Sequence, residues 1–461
     1  MKNINTITAL NIISTVLLQG IAFFTTPIFT RMLGTSQYGV YSVFNSWNSV
    51  LICVLGLGVS SSLATGLYQF KSKYYEFRSS ILVLGSLISI GMILVGMIFS
   101  EQLGKYLGYS RTLVIVLFIS AFAHYIVKYA HSAYIYEKKA GCNFALSLGL
   151  AVTTTILSLY LIMLSDKDRR FEGRVYGMTM PYVIAAIILW GIIFFKKPTG
   201  IHWNYSKYGF AIGLPFVFHT LAHNVLSQSD RVMMQNMGIA SSEIGIYSLY
   251  YSFVAVLSML LSALNTSWCP FYYDDLDTQD WERLRIKCAN YIELFTVLTI
   301  GFLLLSREVG YLLAGADYWG GMPVIPILTL AVYFTFMYQF AVNFEFFHKK
   351  TNLVALGTIA AAVLNIILNA VLIRPWGMYG AAIATMISYA ALFLFHYMVV
   401  THAMKQKFHL KVLAFLPALM AIGVAVALFY FLENSWYIRW CIGGVIGCME
   451  FYRIRKRHSI F

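Results

Sequence analysis

Two histidines, an aspartate and an arginine share one apolar stretch of this sequence. His219, His223, Ser227 and Asp230 recur at intervals of four, four and three, with Asn224 and Arg231 beside them, the spacing of one helical face. A second stretch, ending at Arg31, carries Thr8, Asn11, Thr15, Gln19, Thr26 and Thr30 at intervals of three, four, four, seven and four. Tyr41, Asn45 and Asn48 mark a third, and Tyr247, Tyr251, Ser258, Ser262 and Asn265 a fourth. Lys128 stands inside another apolar run, with His124 and His131 four residues before it and three after. These side chains suit binding. Amides and hydroxyls replace the hydration of a polar cargo, while Lys128, Arg31 and Arg231 hold an anion through charge-assisted bonds. Each arginine fits snorkelling to an interface equally well. Asp230 reads either as the partner of Arg231 or as the group coupling a proton or sodium ion. Nothing points to catalysis: no G-x-x-x-x-G-K-[ST] phosphate loop, HxxxxD motif or paired-carboxylate site occurs. The six cysteines form no CxxC pair and show no metal-like spacing with histidine. No metal and no resident cofactor are expected.

The elements that must position these groups follow from composition. The 461 residues are 59% hydrophobic and 11% charged, against about 45–50% and about 25% in soluble domains. A soluble enzyme, a secreted domain and a disordered linker protein are thereby excluded. The net charge of +14 sits in short clusters between apolar runs, which argues against nucleic acid. Helices need about 20 apolar residues to span a bilayer. Such segments fall near 8–30, 39–64, 79–100, 112–136, 141–164, 175–195, 209–233, 244–270, 288–306, 322–347, 353–373, 378–403, 411–432 and 436–452. The expected fold is an all-α polytopic membrane protein of about fourteen spans. With the N-terminus in the cytoplasm, the alternation places 21 Lys and Arg residues on the cytoplasmic side and 11 outside, leaving Lys128 within a span. That bias puts both termini in the cytoplasm. Glu293 and Glu345 fall within a turn or two of the water boundary, where a carboxylate stays hydrated.

The chain repeats itself. Gly39-Val40-Tyr41-Ser42 matches Gly245-Ile246-Tyr247-Ser248 at an offset of 206, Lys138-Lys139 matches Lys349-Lys350 at 211, and Val175-Tyr176-Gly177 matches Met378-Tyr379-Gly380 at 203. An offset of six helices preserves orientation, so the repeat is parallel, about a pseudo-two-fold axis along the membrane normal. The expected domains are an N-lobe of helices 1–6 (1–200), a C-lobe of helices 7–12 (201–404), and helices 13–14 with a basic cytoplasmic tail (405–461). The polar stripes lie on spans 1, 2, 7 and 8, which are repeat mates, and these are the expected walls of a hydrophilic chamber between lobes. Pro27, Gly213 and Pro215 interrupt two of those walls and serve either gating or plain packing.

Residues 27–39 (PIFTRMLGTSQYG), 213–231 (GLPFVFHTLAHNVLSQSDR) and 374–385 (RPWGMYGAAIAT) carry a family likeness. Through Pro27, Arg31, Gly34, Tyr38 and Gly39, then Gly213, Pro215, Asp230 and Arg231, the sequence resembles bacterial polysaccharide repeat-unit flippases of the O-antigen and capsule type. These belong to the multidrug/oligosaccharidyl-lipid/polysaccharide exporter superfamily. The resemblance implies an undecaprenyl-diphosphate-linked oligosaccharide carried from the cytoplasmic to the outer leaflet of a bacterial inner membrane by alternating access, usually driven by an ion gradient. It also leaves room for a complex with a polysaccharide polymerase. The sugar and the oligomeric state stay open. Lys128, His219, His223 and Asn224, with Gln19, Asn45 and Tyr251, are candidates from the residues alone. An ion-coupled drug or metabolite antiporter of the same fold is the alternative, and a polytopic polysaccharide polymerase a weaker one.

Overall fold

A peptide group in hydrocarbon must satisfy its hydrogen bonds within its own segment, and the described chain does so by helix. The computed structural model describes residues 4–404, 408 and 410–457, and side chains from Gly20 onward except that of Ala22. The helices are α1 (Ile4–Val54), α2 (Leu63–Phe70), α3 (Tyr74–Ile98), α4 (Ser100–Leu107), α5 (Arg111–Tyr136), α6 (Ala140–Leu164), α7 (Arg170–Phe195), α8 (Trp203–Asn236), α9 (Ser241–Asp277), α10 (Trp281–Leu313), α11 (Ile325–Phe347), α12 (Thr351–Met398), α13 (Leu416–Phe431) and α14 (Trp436–Arg457). Ten runs of the described chain are long and apolar enough to cross a membrane, and the runs Phe23–Ile98 and Thr351–Ala403 are long enough for more than one crossing each. The protein is an all-helical, multi-pass membrane protein.

Two expected loops are absent as loops. α1 continues through residues 31–38 and α12 through 374–377, each broken only at one glycine, Gly34 (φ 67°) and Gly377 (φ 50°). Conversely, the expected span 39–64 is not one straight helix. It breaks at Leu55–Ser62, where Gly56, Leu57 and Gly58 all take left-handed conformations (φ 72°, 46° and 66°). Glycine adopts this region freely, whereas Leu57 is strained there.

Packing divides the chain into two compact units. The first comprises Met1–Gln235 with Ala240–Gly245, the second Asn236–Ile239 with Ile246–Phe461. The division by packing therefore differs from the expected division by repeat at residue 200, because α8 packs with the first unit. His202 N donates to Ser80 Oγ (3.0 Å), Ser46 Oγ to Gln228 Oε1 (2.9 Å), and Gln235 Nε2 to the Leu107 carbonyl (2.9 Å). In the second unit α13 and α14 lie against α10. Arg439 pairs with Glu308 near one end of α14, and Arg453 and Arg457 with Glu293 near the other.

The repeat is visible in the backbone. Lys138 and Lys349, 211 residues apart, both take positive φ (58° and 60°). Each closes the same helix-ending turn: Lys139 N bonds Tyr134 O at 2.8 Å, and Lys350 N bonds Glu345 O at 2.9 Å. Gly39 and Gly245 meet within the first unit. A methyl group on Gly39 would strike the Ser241 carbonyl, and one on Gly245 would strike the Thr35 carbonyl. Thr35 and Ser241 are themselves 206 residues apart, so the contact is reciprocal, as two-fold related segments require.

Candidate functional site

The first unit holds most of the residues that the sequence singles out. Lys128 lies about two thirds of the way along α5 and is exposed. Among the described residues, no carboxylate stands within ion-pair distance of it. Its charge acts on the Cys53 thiol, which sits two residues before the break in the second span. Asn224 Nδ2 reaches that thiol at 3.1 Å and also donates to the Thr220 carbonyl at 3.0 Å. α1 and α8 thus bring a thiol and an amide into contact within electrostatic range of the α5 cation.

The neighbours of Lys128 on α5 are fixed by other helices. His124 stacks on Tyr182 of α7 with ring centroids 3.7 Å apart, and its Nδ1 lies 2.8 Å from the Ser120 carbonyl. His131 Nδ1 lies 2.6 Å from Asn143 Oδ1 of α6. Both imidazoles are held by these contacts, and the ammonium between them is exposed.

The break beside Cys53 has a packing cause. A methyl group on Gly56 would strike the Tyr125 ring, one on Gly58 would come within 2.6 Å of the Gly213 carbonyl, and one on Gly213 within 2.8 Å of the Leu57 carbonyl. The backbone of the broken span therefore lies directly on α8. Ser61 and Ser62 donate to the Gly58 and Val59 carbonyls (2.8 and 2.6 Å) that the break frees. Irregular backbone at membrane depth persists where it is buried in protein or lines a wet cavity.

The remaining candidates occupy varied positions. Arg31 is exposed and Asn45 half-buried. His219 is half-buried and His223 exposed on α8, one turn apart. Asp230 is fully buried and Arg231 is 5% exposed. Arg231 Nη1 donates to the Ser227 carbonyl (3.1 Å) and to Gln228 Oε1 (3.3 Å), the same oxygen that accepts from Ser46. Its guanidinium is therefore part of the α1–α8 packing. Pro27 lies inside α1, seven residues before the Gly34 break, and Pro215 inside α8 is exposed. Tyr251 is half-buried in the second unit, its ring 5.9 Å from that of Tyr247. The side chain of Gln19 lies outside the described residues.

Sequence reasoning passed over Cys53, Thr220 and Gln228. Their types suit membrane packing as well as a site, and only the tertiary contact distinguishes them. The hydrated position expected for Glu345 is also corrected: it is fully buried, with Oε1 2.9 Å from Nδ1 of an equally buried His396. Among the described residues, no group of three or more His, Cys, Asp or Glu side chains is placed to hold a metal.

Known proteins share both sequence and fold with this chain. The model of a family described as "Polysaccharide biosynthesis protein" matches residues 6–273. A protein of Haloferax volcanii named "Probable low-salt glycan biosynthesis flippase Agl15" is 23% identical over 390 residues, covering 82% of this chain and 79% of its own length. The lipid II flippase MurJ, in an inward closed conformation, superposes with a TM-score of 0.70 at 18% identity, covering 96% of this chain and 98% of its own. An inward-facing multidrug resistance MATE family transporter of the MOP superfamily gives 0.65 at 14% identity, covering 91% and 96%.

Proposed function

The chain belongs to the family of polysaccharide biosynthesis proteins, and from that membership we infer that it is a flippase for a lipid-diphosphate-linked oligosaccharide. The cargo passes from the cytoplasmic to the outer leaflet of a bacterial cytoplasmic membrane by alternating access, with both termini of the chain in the cytoplasm. There it supplies assembly of a surface polysaccharide of the O-antigen or capsule kind. Undecaprenyl diphosphate is the proposed lipid anchor. A polysaccharide polymerase is the proposed consumer on the far side. A proton or sodium gradient is the proposed driving force, with Asp230 as the coupling candidate.

The observation that carries this reading is Lys128. A lysine at the centre of a spanning helix costs about 2.5–3.5 kcal/mol on insertion scales, so it is retained where it meets water or an anion. Here it is exposed, without a carboxylate partner among the described residues, and within electrostatic range of Cys53, the thiol that precedes the helix break and meets the Asn224 amide. A diphosphate supplies the missing negative charge, and amides and hydroxyls along α8 replace the water of a sugar. Arg31 and Asn45 of α1, and His219 and His223 of α8, are the further proposed contacts, with Tyr251 as a sugar-stacking ring. The chemistry is binding and release, consistent with a transporter.

A drug antiporter shares the fold, and the likeness to the multidrug transporter favours it to that extent. An exposed lysine repels an organic cation, so the anionic cargo fits this chain better. Deleting the gene tests the proposal: lipid-linked oligosaccharides should accumulate in the inner leaflet and surface polysaccharide should disappear. Unchanged surface polysaccharide in the deletion strain would overturn it.

A further inference from the structure

A second cationic site lies in the first unit, where the start of α3, the α5–α6 turn and the end of α7 come together. Its buried carboxylate is Glu137, 4% exposed, which is bound by both Arg78 and Lys139. Arg78, 2% exposed, also donates to the Ile193 carbonyl of α7 at 3.1 Å. Its guanidinium carbon lies 5.0 Å from the centre of the Tyr75 ring. Lys196 Nζ lies 3.7 Å from the centre of that same ring. The ammonium of Lys139 stands beside that of Lys196. Three cations therefore surround one aromatic ring and one carboxylate. The nearby Glu76 is engaged with Lys197 at 3.6 Å, and Lys71, Lys73 and Lys138 stand exposed on the flanking turns.

Within the cluster of Arg78, Lys139, Lys196 and Glu137, three positive charges face one negative, leaving a net charge of two. Like charges side by side repel, so the arrangement favours an anion that bridges Lys139 and Lys196. The surface leading to it is apolar. Ile184, Ile188, Ile192 and Phe195 of α7 are each more than half exposed, and their spacing of four, four and three places them on one face running to Lys196. A head that is anionic and a body that is hydrocarbon describe one ligand class. We propose that Lys139 and Lys196, backed by Arg78 and Tyr75, bind the phosphate head of an anionic membrane phospholipid whose acyl chain lies along α7. The ammonium groups and the ring edge hold the phosphate, and Glu137 keeps Arg78 and Lys139 in place. The inference needs no assumption about the cargo. It is separate from Lys128, which lies two to three helical turns away along α5.

Native mass spectrometry of the full-length protein tests it, after delipidation and titration with phosphatidylglycerol or cardiolipin, and with phosphatidylcholine as control. The wild type should prefer the anionic lipids. Lys139→Gln/Lys196→Gln should weaken their binding by roughly thirtyfold, from about one surface charge contact per lysine, and leave phosphatidylcholine unchanged. Lys196→Arg should keep the preference. An unchanged thermal midpoint of the double variant in phosphatidylcholine separates lost binding from lost fold. A double variant that keeps the wild-type preference overturns the proposal. So does undecaprenyl diphosphate binding at this site while phosphatidylglycerol does not, which would transfer the site to the cargo.

Discussion

At the α5–α6 turn, Glu137 lies between Arg78 and Lys139; at the α11–α12 turn, Glu345 faces His396. The backbones of the two turns match hydrogen bond for hydrogen bond, down to a left-handed lysine in each. The side chains around them do not match. The first turn is built on permanent charge, with a buried guanidinium that requires its carboxylate. The second is built on a glutamate and an imidazole in hydrogen-bonding contact, and Gly357 lets that imidazole sit against the helix, since a methyl there would lie 2.5 Å from His396 Nε2. The comparison teaches that the repeat conserves what geometry demands, the turn, and frees what local function demands, the charge.

The comparison can be broken most severely at the contact where the repeats meet. Gly39→Val and Gly245→Val each drive a side chain into the backbone of the other copy, so both should abolish recovery of folded protein in detergent. Size-exclusion profiles of the two variants measure this, and a normal yield from only one of them would mean the contact is not reciprocal. Next in size is Glu137→Gln, which leaves Arg78 buried without its counter-charge and should cost about 3–5 kcal/mol. Glu345→Gln leaves the His396 imidazole with a hydrogen-bonding partner, and should cost only about 1–2 kcal/mol. Thermal midpoints of the two variants at one pH compare these directly, and equal losses would erase the distinction between the turns. Smallest is the backbone itself: Lys138→Gly and Lys349→Gly should each stabilise by about 0.5–1 kcal/mol, since glycine takes the left-handed position without strain. Gains of the same size at both sites would sharpen the case that the turns are equivalent.

Much of this architecture was legible from residue order. Runs of about twenty apolar residues dictate spanning helices, and the expected spans fall largely on helical backbone, with 39–64 interrupted at Leu55–Ser62. The repeat was legible because Gly39-Val40-Tyr41-Ser42 and Gly245-Ile246-Tyr247-Ser248 match at an offset shared, within a few residues, by two other pairs. Helix continuity through Gly34 and Gly377 was not, since one glycine in a polar interval reads as a loop in sequence. The Leu55–Ser62 break was hidden in an apolar run: Gly56 and Gly58 mark it, but only the approach of Tyr125 and Gly213 requires it. Of the candidate site, Lys128 and Asn224 were legible as polar groups in apolar stretches, whereas Cys53 was not, because a thiol passes for a core residue. Arg78 and Glu137 are 59 residues apart and Glu345 and His396 are 51 apart, separations that no local pattern connects.

The central claim is that Lys128, within α5, receives the anionic head of a lipid-linked oligosaccharide. Its most direct measurement is transbilayer movement of a fluorescent undecaprenyl-diphosphate oligosaccharide in proteoliposomes, comparing the wild type with Lys128→Gln at equal protein. The account predicts rapid movement by the wild type and loss of at least tenfold in the variant, the equivalent of about 1.4 kcal/mol of charge-assisted binding. Equal rates for the two proteins would contradict it.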